Sequence, residues 1–436
     1  MACSFSSLNK PLRGEVRVPG DKSISHRAVM LASLAEGKTT IDNFLDGEDC
    51  LHTVELFRQL GVDIQQQGKQ VKVLSNGLAA FEEPKVPLYF GNSGTTARLM
   101  LGILSGLPFH TVLYGDPFLT VRPMDRVVLP LRKMGAQIDG RQKGSYLPLA
   151  IRGTALKGID YSIPVKSAQV KSAILFAGLL AEGETTVTEL AKTRDHTENM
   201  LAAFGADIAV DGLKVKITNK QALTPTDITV PGDISSAAFF LVAAALVPDS
   251  EVILRDVGLN ETRTGIIDVL RAMQADITIM NERVSGGEAI GDILIRYAPL
   301  QAVDIAGDMI PRLIDEIPII ALLATQAAGK TTIANAEELR VKETDRIKAV
   351  VEVLTTLGAK IEEKEDGMVI YGGKALTGGN IKSYSDHRMA MLGVIASLIS
   401  KEPVVIDELT SINISYPDFF QDLSVLSDVD YLSIVP

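Results

Sequence analysis

Two cations and a hydroxyl stand where a helix is predicted to begin, directly after the turn Pro19–Gly20. Lys22, Ser23 and Arg27 lead into the small and apolar residues 28–32. A helix start offers free backbone N–H groups and a partial positive charge, both of which favour an anion. Added cations and hydroxyl donors strengthen such a site. The stretch predicts a phosphate-type anion site, with a serine-capped helix start and two solvated cations as the alternative.

Similar polar stretches stand at the starts of other predicted helices. In one of them, Asp315 and Glu316 interrupt an apolar segment, where a carboxylate is either a helix cap or a general base. The cations among these stretches suit a ligand pair that carries several negative charges. The candidates beyond the first stretch are Gly94, Arg122, Ser167, Ala168, Gln169, Arg194, Asp315, Lys342, Glu343, Arg346 and Arg388.

Each of these stretches also has an ordinary structural interpretation. Arg122, before a helix predicted to start at Pro123, fits a solvated loop charge, and Ser167 fits a simple N-cap. Residues 194–198 fit a charged surface turn, most clearly for Asp195 and Glu198. These interpretations lose weight because the stretches recur at equivalent places in a repeated pattern.

That pattern divides the chain into six copies of one unit. A Gly-Ala-Asp-Ile-like signal follows a helix at residues 61, 135, 205, 274 and 358, and the sixth copy ends without it. Each copy has room for two helices and about four strands. The helices are apolar almost all round, which is typical of burial on several sides. We therefore expect α/β units with helices bundled at the centre and sheets outside.

Six such units exceed one hydrophobic core, so two globular lobes are expected. The twin Pro-Gly-Asp turns at Pro19 and Pro231 are the predicted crossings. They give one lobe from residues 1–19 and 234–436, and another from residues 20–233.

Bulk properties exclude several classes of protein. The net charge of −11, from 43 basic and 54 acidic residues, argues against nucleic-acid binding. No apolar run reaches the roughly 18 residues of a membrane helix, and no secretory signal is visible. Cys3 and Cys50 are too few for a disulfide framework. No metal-ligand spacing appears. A cytoplasmic protein without membrane association is expected.

Taken together, these motifs resemble those of the 5-enolpyruvylshikimate-3-phosphate synthases over nearly all 436 residues. The resemblance implies a two-lobed inside-out α/β barrel of six βαβαββ-type units, as in enolpyruvyl transferases. It implies transfer of the enolpyruvyl group of phosphoenolpyruvate to the 5-hydroxyl of shikimate 3-phosphate, with release of phosphate, in aromatic amino-acid synthesis. It implies no metal or organic cofactor, and we expect a monomer.

The resemblance also implies roles for the candidate residues. Asp315 would be the base, Glu343 the acid that protonates the methylene carbon, and Lys22 an assistant to it. Shikimate 3-phosphate would be held by Lys22, Ser23, Arg27, Ser167, Ala168, Gln169, Arg194, Asp315 and Lys342. Phosphoenolpyruvate would be held by Lys22, Gly94, Arg122, Gln169, Arg346 and Arg388.

Residues 167–171, 194–198 and 260–263 resemble the second class of these synthases. A lysine of the first class is replaced here by Ile414, ahead of Ser415-Tyr416-Pro417, so the phosphate contact of that lysine is not expected from this position. The family is the target of glyphosate, and some tolerant members carry alanine where this chain has Gly94.

Two alternatives remain at this point. A UDP-N-acetylglucosamine enolpyruvyl transferase shares the architecture, but has Lys-Asn in place of Lys22-Ser23 and usually a cysteine in the loop that is 114–126 here. A non-catalytic anion-binding repeat module would gain nothing from carboxylates such as Asp315 and Glu343 facing its ligand.

Overall fold

Helices and small sheets alternate along the chain in this computed structural model, which describes residues 2–219 and 222–433. The helices are α1 Lys22–Leu34, α2 Glu48–Gln59, α3 Gly94–Ser105, α4 Asp125–Lys133, α5 Arg141–Gly144, α6 Ala168–Leu179, α7 His196–Ala203, α8 Ile234–Leu246, α9 Gly265–Ala272, α10 Ile310–Leu313, α11 Ile317–Gln326, α12 Arg346–Thr356, α13 His387–Ser397 and α14 Phe419–Ser427. Short 3-10 helices cover Leu78–Ala80, Gly307–Met309, Glu337–Val341 and Thr410–Ile414.

The strands are short and form six separate sheets within the described residues. They are β1 Cys3–Phe5, β2 Arg13–Val16, β3 Glu36–Asp42, β4 Asp63–Gln67, β5 Gln70–Asn76, β6 Leu88–Tyr89, β7 His110–Tyr114, β8 Gln137–Gly140, β9 Leu149–Arg152, β10 Asp160–Ser162, β11 Glu184–Thr188, β12 Ile208–Asp211, β13 Lys214–Thr218, β14 Ile228–Thr229, β15 Glu251–Gly258, β16 Asp276–Ser285, β17 Glu288–Arg296, β18 Asp304–Ile305, β19 Lys330–Ile333, β20 Lys360–Lys364, β21 Gly367–Tyr371, β22 Gly379–Ile381 and β23 Val404–Ile406.

Five of the sheets share one strand order, which confirms the predicted repeat. In each, a parallel pair is followed by an antiparallel third strand, and a fourth strand lies beside the third. The sixth sheet has the order β1-β23-β22, so the strand nearest the N-terminus completes it. This explains why the sixth copy lacks the Gly-Ala signal, which elsewhere introduces the fourth strand.

Two strands are exchanged between distant copies. In four copies the parallel strand precedes that copy's own buried helix in the chain, as β6 does before α3. The chain likewise runs from β2 towards α1 and from β14 towards α8. Yet β2 pairs with β15, and β14 pairs with β3. The first and fourth copies therefore complete each other's sheets.

Contacts divide the chain into two compact units, which do not coincide fully with the expected lobes. The middle unit is Gly20–Val230 with Val284–Glu288, and the terminal unit is the chain up to Pro19, Pro231–Arg283 and the chain from Ala289 onward. Residues 231–233 were expected with the middle lobe. They lie in the terminal unit because Asp233 N donates to Pro19 O at 2.8 Å. The turn between β16 and β17 lies in the middle unit because Ser285 Oγ accepts from Thr229 N at 2.9 Å.

Capping side chains determine the first residue of the helices whose N-termini are polar. Asp21 accepts from Ile24 N at 2.9 Å at the start of α1, and Asp233 accepts from Ser235 N at 2.8 Å at the start of α8. Such a cap satisfies one of the free N–H groups of the first turn. The twin Pro-Gly-Asp turns therefore supply equivalent aspartate caps, and α1 has no serine cap. The same role falls to Ser93 in α3, Ser167 in α6, Asp345 in α12 and Asp386 in α13.

Within each unit the apolar helices pack against one another, as their composition predicts. Every residue of α8 is buried. In the middle unit, α3 and α6 approach so closely that a Cβ on Gly102 would lie 2.2 Å from the carbonyl oxygen of Ala173. Of the helices that the structure describes, none has the length and apolarity that crossing a membrane requires.

Candidate active site

The start of α1 carries three of the predicted residues in the middle unit. Lys22 forms an ion pair with Asp49 of α2, and both side chains are partly exposed. Burial opposes ionisation of Asp49, but Lys22 prevails and lowers the pKa of that carboxyl group. The ammonium group of Lys22 is therefore held beside Asp49 while its side chain stays partly exposed to solvent. Ser23, one residue on, is also partly exposed.

Arg27 is buried and held by neighbours on three nitrogen atoms. Nε donates to Thr197 Oγ1 at 2.6 Å, Nη2 to Ser172 Oγ at 2.9 Å, and Nη1 to the Ser23 carbonyl oxygen at 2.9 Å. Burial, with a smaller contribution from Arg194, lowers the pKa of Arg27 to about 10. The guanidinium stays charged at neutral pH, which favours an anion beside it.

A second group of polar side chains lies at the start of α3. A Cβ on Gly94 would lie 3.0 Å from Arg98 Nη1 and 3.4 Å from Arg122 Nη1, so two guanidinium groups approach this glycine. Arg98 Nη1 also donates to Gln169 Oε1 at 2.6 Å, and Gln169 Nε2 donates to Thr95 Oγ1 at 3.0 Å. The structure thus brings Gly94, Arg122 and Gln169 together.

Arg98 is the link in this group that the sequence analysis did not select. Burial, then Arg126 and Arg122, lower the pKa of Arg98 to about 10. A lone basic residue on the apolar helix α3 was the available signal. Asp49, Ser172 and Thr197 were also missed. Their partners lie far along the chain, so no local pattern points to them.

The remaining predicted residues of the middle unit begin α6 and precede α7. Ser167 is the N-cap of α6 and accepts from Val170 N at 3.4 Å, so the expected capping role is present. Ala168 and Gln169 form the first turn of α6, and both are partly exposed. Arg194 lies two residues before α7 and is also partly exposed.

Two local expectations about these stretches are wrong. Glu198 was expected on a charged surface turn, but it is buried and pairs with Lys171 Nζ at 2.6 Å. The helix after Arg122 begins at Asp125 and not at Pro123. Pro123 is instead part of the loop, where its carbonyl oxygen accepts from Arg98 Nη2 at 3.3 Å.

In the terminal unit, Asp315 lies between two predicted cations. Its Oδ1 is 3.5 Å from Arg346 Nη1 and 3.7 Å from Lys342 Nζ. Asp315 is partly exposed and comes directly before Glu316, the N-cap residue of α11. It is therefore not the cap itself. A partly exposed carboxylate beside two cations can accept a proton from a hydroxyl group placed next to it.

Arg346 is the centre of this charge cluster and is buried. Nε donates to Asp386 Oδ2 at 2.8 Å, and Nη2 lies 2.8 Å from Glu343 Oε2. The Glu343 side chain is 45% exposed; its partial burial disfavours the charge, yet Arg346 lowers its pKa to about 2. Asp386 also caps α13 by accepting from Arg388 N at 2.9 Å, and the Arg388 side chain is partly exposed.

Glu316, beside Asp315, is a buried carboxyl group of a different kind. Its side chain bonds Ser235 Oγ, which in turn accepts from Arg263 Nη2 at 2.8 Å. Burial raises the pKa of Glu316, and Asp315 raises it further, against the opposing charges of Arg263 and Arg388. Two adjacent carboxyl groups thus meet different environments, and only Asp315 faces the cations Lys342 and Arg346.

Ile414 lies at the end of a 3-10 helix and its residue is 48% exposed. Its side chain carries no donor for a phosphate. Across residues 2–219 and 222–433, no three His, Cys, Asp or Glu side chains are grouped as metal ligation would require.

Solved structures with the same architecture identify the class of protein. The enolpyruvyl transferase NikO from Streptomyces tendae superposes with a TM-score of 0.78 over 98% of this chain and 97% of that one, at 18% identity, which shows the shared fold alone. EPSP synthase from Acinetobacter baumannii superposes with a TM-score of 0.93, at 43% identity and 98% coverage of both chains. The fold is that of the enolpyruvyl transferases.

The chain belongs to the EPSP synthase family. The model of that family, EPSP synthase (3-phosphoshikimate 1-carboxyvinyltransferase), matches residues 7–423. The 3-phosphoshikimate 1-carboxyvinyltransferase of Oceanobacillus iheyensis is 60% identical over 420 residues, which are 96% of this chain and 98% of that protein. The enzyme of the same name from Bacillus subtilis is 56% identical over 417 residues, which are 95% and 97% of the two chains.

Proposed function

We propose that the chain transfers the enolpyruvyl group of phosphoenolpyruvate to the 5-hydroxyl of shikimate 3-phosphate and releases phosphate. The observation that carries this proposal is the family match, which extends over residues 7–423 and so includes every candidate residue. The reaction belongs to aromatic amino-acid biosynthesis. We also propose that the enzyme acts as a monomer in the cytoplasm.

The substrate-binding roles divide by chemistry. Two anions with phosphate and carboxylate groups need guanidinium, ammonium and N–H donors. We assign shikimate 3-phosphate to Lys22, Ser23, Arg27, Ser167, Ala168, Gln169, Arg194, Asp315 and Lys342. We assign phosphoenolpyruvate to Lys22, Gly94, Arg122, Gln169, Arg346 and Arg388. The joint assignment of Gly94, Arg122 and Gln169 is supported by Arg98, which lies beside Gly94 and donates to Gln169, and by the approach of Arg122 to Gly94.

The chemical step needs a base and an acid. Asp315 takes the proton of the 5-hydroxyl group as its oxygen attacks C2 of phosphoenolpyruvate. Glu343, assisted by Lys22, delivers a proton to the methylene carbon, which becomes a methyl group. The resulting tetrahedral intermediate loses phosphate when that methyl group returns a proton and the C–O bond to phosphate breaks. Surrounding cations stabilise the charge that develops.

Glu343 must gain a proton before it can act as an acid. Its pKa of about 2 in the absence of substrate means that it is ionised at neutral pH, because Arg346 lies 2.8 Å away. An anionic substrate bound to Arg346 competes for the same guanidinium group. Substrate binding therefore raises the pKa of Glu343 towards the range that an acid catalyst needs.

Phosphate release measured with different acceptors tests the function. We expect release with phosphoenolpyruvate and shikimate 3-phosphate together, and none with either alone. Release with UDP-N-acetylglucosamine as the acceptor would favour the alternative transferase. Binding of both anions without release in any mixture would favour a non-catalytic anion-binding module.

Arg122→Ala is expected to weaken phosphoenolpyruvate binding more than shikimate 3-phosphate binding. Loss of one charge-assisted contact costs about 1.5–3 kcal/mol, or about ten- to a hundredfold in Kd. Calorimetric titration of each ligand measures both affinities. Arg152→Ala is the matched control, because Arg152 is an exposed arginine of β9 outside the group around Gly94. Equal losses for both ligands would contradict the assignment of Arg122.

Arg346→Ala is less suited to this test. Arg346 is buried, and its partner Asp386 is buried as well. Removing the arginine leaves that carboxylate uncompensated, which typically costs about 3–5 kcal/mol of stability. A weaker affinity of this variant would therefore mix lost binding with partial unfolding.

A further inference from the structure

A buried imidazole and three hydroxyl groups form one cluster behind the helix starts of the middle unit. His26 Nδ1 lies 2.7 Å from Thr53 Oγ1, and Thr53 Oγ1 lies 2.9 Å from Thr96 Oγ1. Thr96 Oγ1 lies 2.7 Å from Ser93 Oγ and 3.3 Å from His26 Nδ1. All four residues are at most 1% exposed. The cluster contains none of the residues assigned to substrate or to chemistry.

The cluster joins three helices that begin at the candidate site. His26 is on α1, one turn after Lys22, and Thr53 is on α2, one turn after Asp49, the partner of Lys22. Thr96 and Ser93 belong to the first turn and the cap of α3, where Gly94 lies. Hydrogen bonds between buried polar groups are directional, and breaking one leaves its partner unsatisfied. The cluster therefore fixes the distance between these helix starts.

His26 takes part as a neutral ring. Burial lowers its pKa to about 3, with opposing contributions from Asp49 and Asp21 and supporting ones from Lys22 and Arg27. Its Nε2 is buried and has no hydrogen-bond partner among the described residues. A ring that leaves one nitrogen unsatisfied is costly in an apolar interior. The favourable contacts of the ring are those of Nδ1 with Thr53 and Thr96.

We propose that His26 is a positioning residue that holds the start of α3, and with it Gly94, against the start of α1. The consequence for catalysis rests on the proposed function, in which Gly94 contacts phosphoenolpyruvate only. The groups on α1 have supports of their own, namely the Asp21 cap and the contacts of Arg27 with Thr197 and Ser172. Loss of the His26 contacts therefore loosens the phosphoenolpyruvate side of the site selectively.

His26→Leu removes these contacts while filling much of the same volume. We expect the KM for phosphoenolpyruvate to rise about five- to tenfold, the equivalent of one lost hydrogen bond, and the KM for shikimate 3-phosphate to change less than about twofold. His26→Asn should restore the wild-type KM, because the asparagine amide can occupy the place of Nδ1. An equal rise in both KM values, or no rescue by asparagine, would overturn the proposal.

Thr53→Val tests the positioning role of the cluster even if His26→Leu does not fold. It removes the central hydroxyl group of the cluster and keeps the side-chain shape, so the same selective rise in KM is expected. Thr39→Val is the matched control, because the Thr39 hydroxyl group is buried without a hydrogen-bond partner among the described residues. Equal effects of Thr53→Val and Thr39→Val would overturn the proposal.

Hydrogen exchange separates this inference from the proposed function, because it requires no activity. In His26→Leu and Thr53→Val, the amides of Thr96 and Ala97 in α3 should exchange faster than in the wild type. Those of Ile24 and Ser25 in α1 should be unchanged, since Asp21 still accepts from both. Unchanged exchange at Thr96 and Ala97 would overturn the positioning role even in an active enzyme. Missing transferase activity of the wild type would overturn the proposed function alone.

Discussion

Asp315→Asn is expected to reduce turnover by at least about 100-fold, the scale of general-base catalysis, and to leave shikimate 3-phosphate binding nearly intact. Asparagine keeps the shape of the side chain and can still accept a hydrogen bond, but it cannot take a proton. Asp315 lies 3.5 Å from Arg346 and 3.7 Å from Lys342, so the variant removes a negative charge between two cations and no cap. Steady-state phosphate release and calorimetric binding measure the two effects.

Glu338→Gln is the matched control for this variant. Glu338 Oε1 lies 3.6 Å from Lys342 Nζ, much as Asp315 does, but Glu338 is largely exposed. Near-normal turnover is expected, with a change in stability below about 1 kcal/mol. Turnover of Asp315→Asn within about threefold of the wild type would remove the base role and leave proton transfer to Lys22 and Glu343. A large fall in the melting temperature of Asp315→Asn alone would point to a structural role.

Lys171→Met is expected to lower the free energy of unfolding by about 3–5 kcal/mol. Lys171 is 1% exposed, and its ammonium group lies 2.9 Å from Glu189 and 2.6 Å from Glu198, both buried. Methionine matches the length of the lysine but leaves two carboxyl groups without a cation. Urea unfolding followed by circular dichroism measures the free energy of unfolding.

The same variant has an expected pH dependence. Burial raises the pKa of Glu198 even beside Lys171, and loss of the lysine raises it further. The folded state then binds more protons than the unfolded state, so its stability grows as pH falls through the folded-state pKa. The loss in free energy of unfolding caused by Lys171→Met should therefore be smaller at about pH 5 than at about pH 8.

Lys216→Met is the control for Lys171→Met. Lys216 pairs with Glu184 at 3.2 Å, but both side chains are about half exposed. Loss of an exposed pair costs at most about 1 kcal/mol. Similar losses for the two lysine variants would contradict a buried charge cluster. Adding Glu189→Gln and Glu198→Gln to Lys171→Met should recover part of the stability, since the uncompensated charges are then gone.

Local signals in the sequence predicted the repeats and the helix starts. The apolar runs, the Gly-Ala signals and the residues near helix starts depend on neighbours within a few positions of the chain. The structure agrees with these local signals: it has six sheets, buried helices such as α8, and polar caps at α3, α6, α12 and α13. The roles of Asp315 and Glu343 came from the family resemblance, and stay predictions.

Tertiary partners could not be predicted in the same way. From the sequence, Glu198 was expected to be a surface charge, because its partner Lys171 lies on another helix. The exchange of β2 and β14 between the first and fourth copies also leaves no signal in the sequence. Both strands precede a helix in the chain, just as the corresponding strands of the other copies do. The His26 cluster depends on the packing of three helices and has no signal in any one of them.

The turn between β16 and β17 limits how this polypeptide can be cut or recombined. Its residues Val284–Glu288 belong to the middle unit, although both strands beside them run into the terminal unit. Glu288 Oε1 lies 2.9 Å from His196 Nδ1, and both side chains are buried. A fragment of residues 20–230 alone therefore leaves His196 without that carboxylate. Chimaeras between relatives should inherit the turn from the same parent as residues 20–230, and breakpoints that separate them should lower the yield of folded protein.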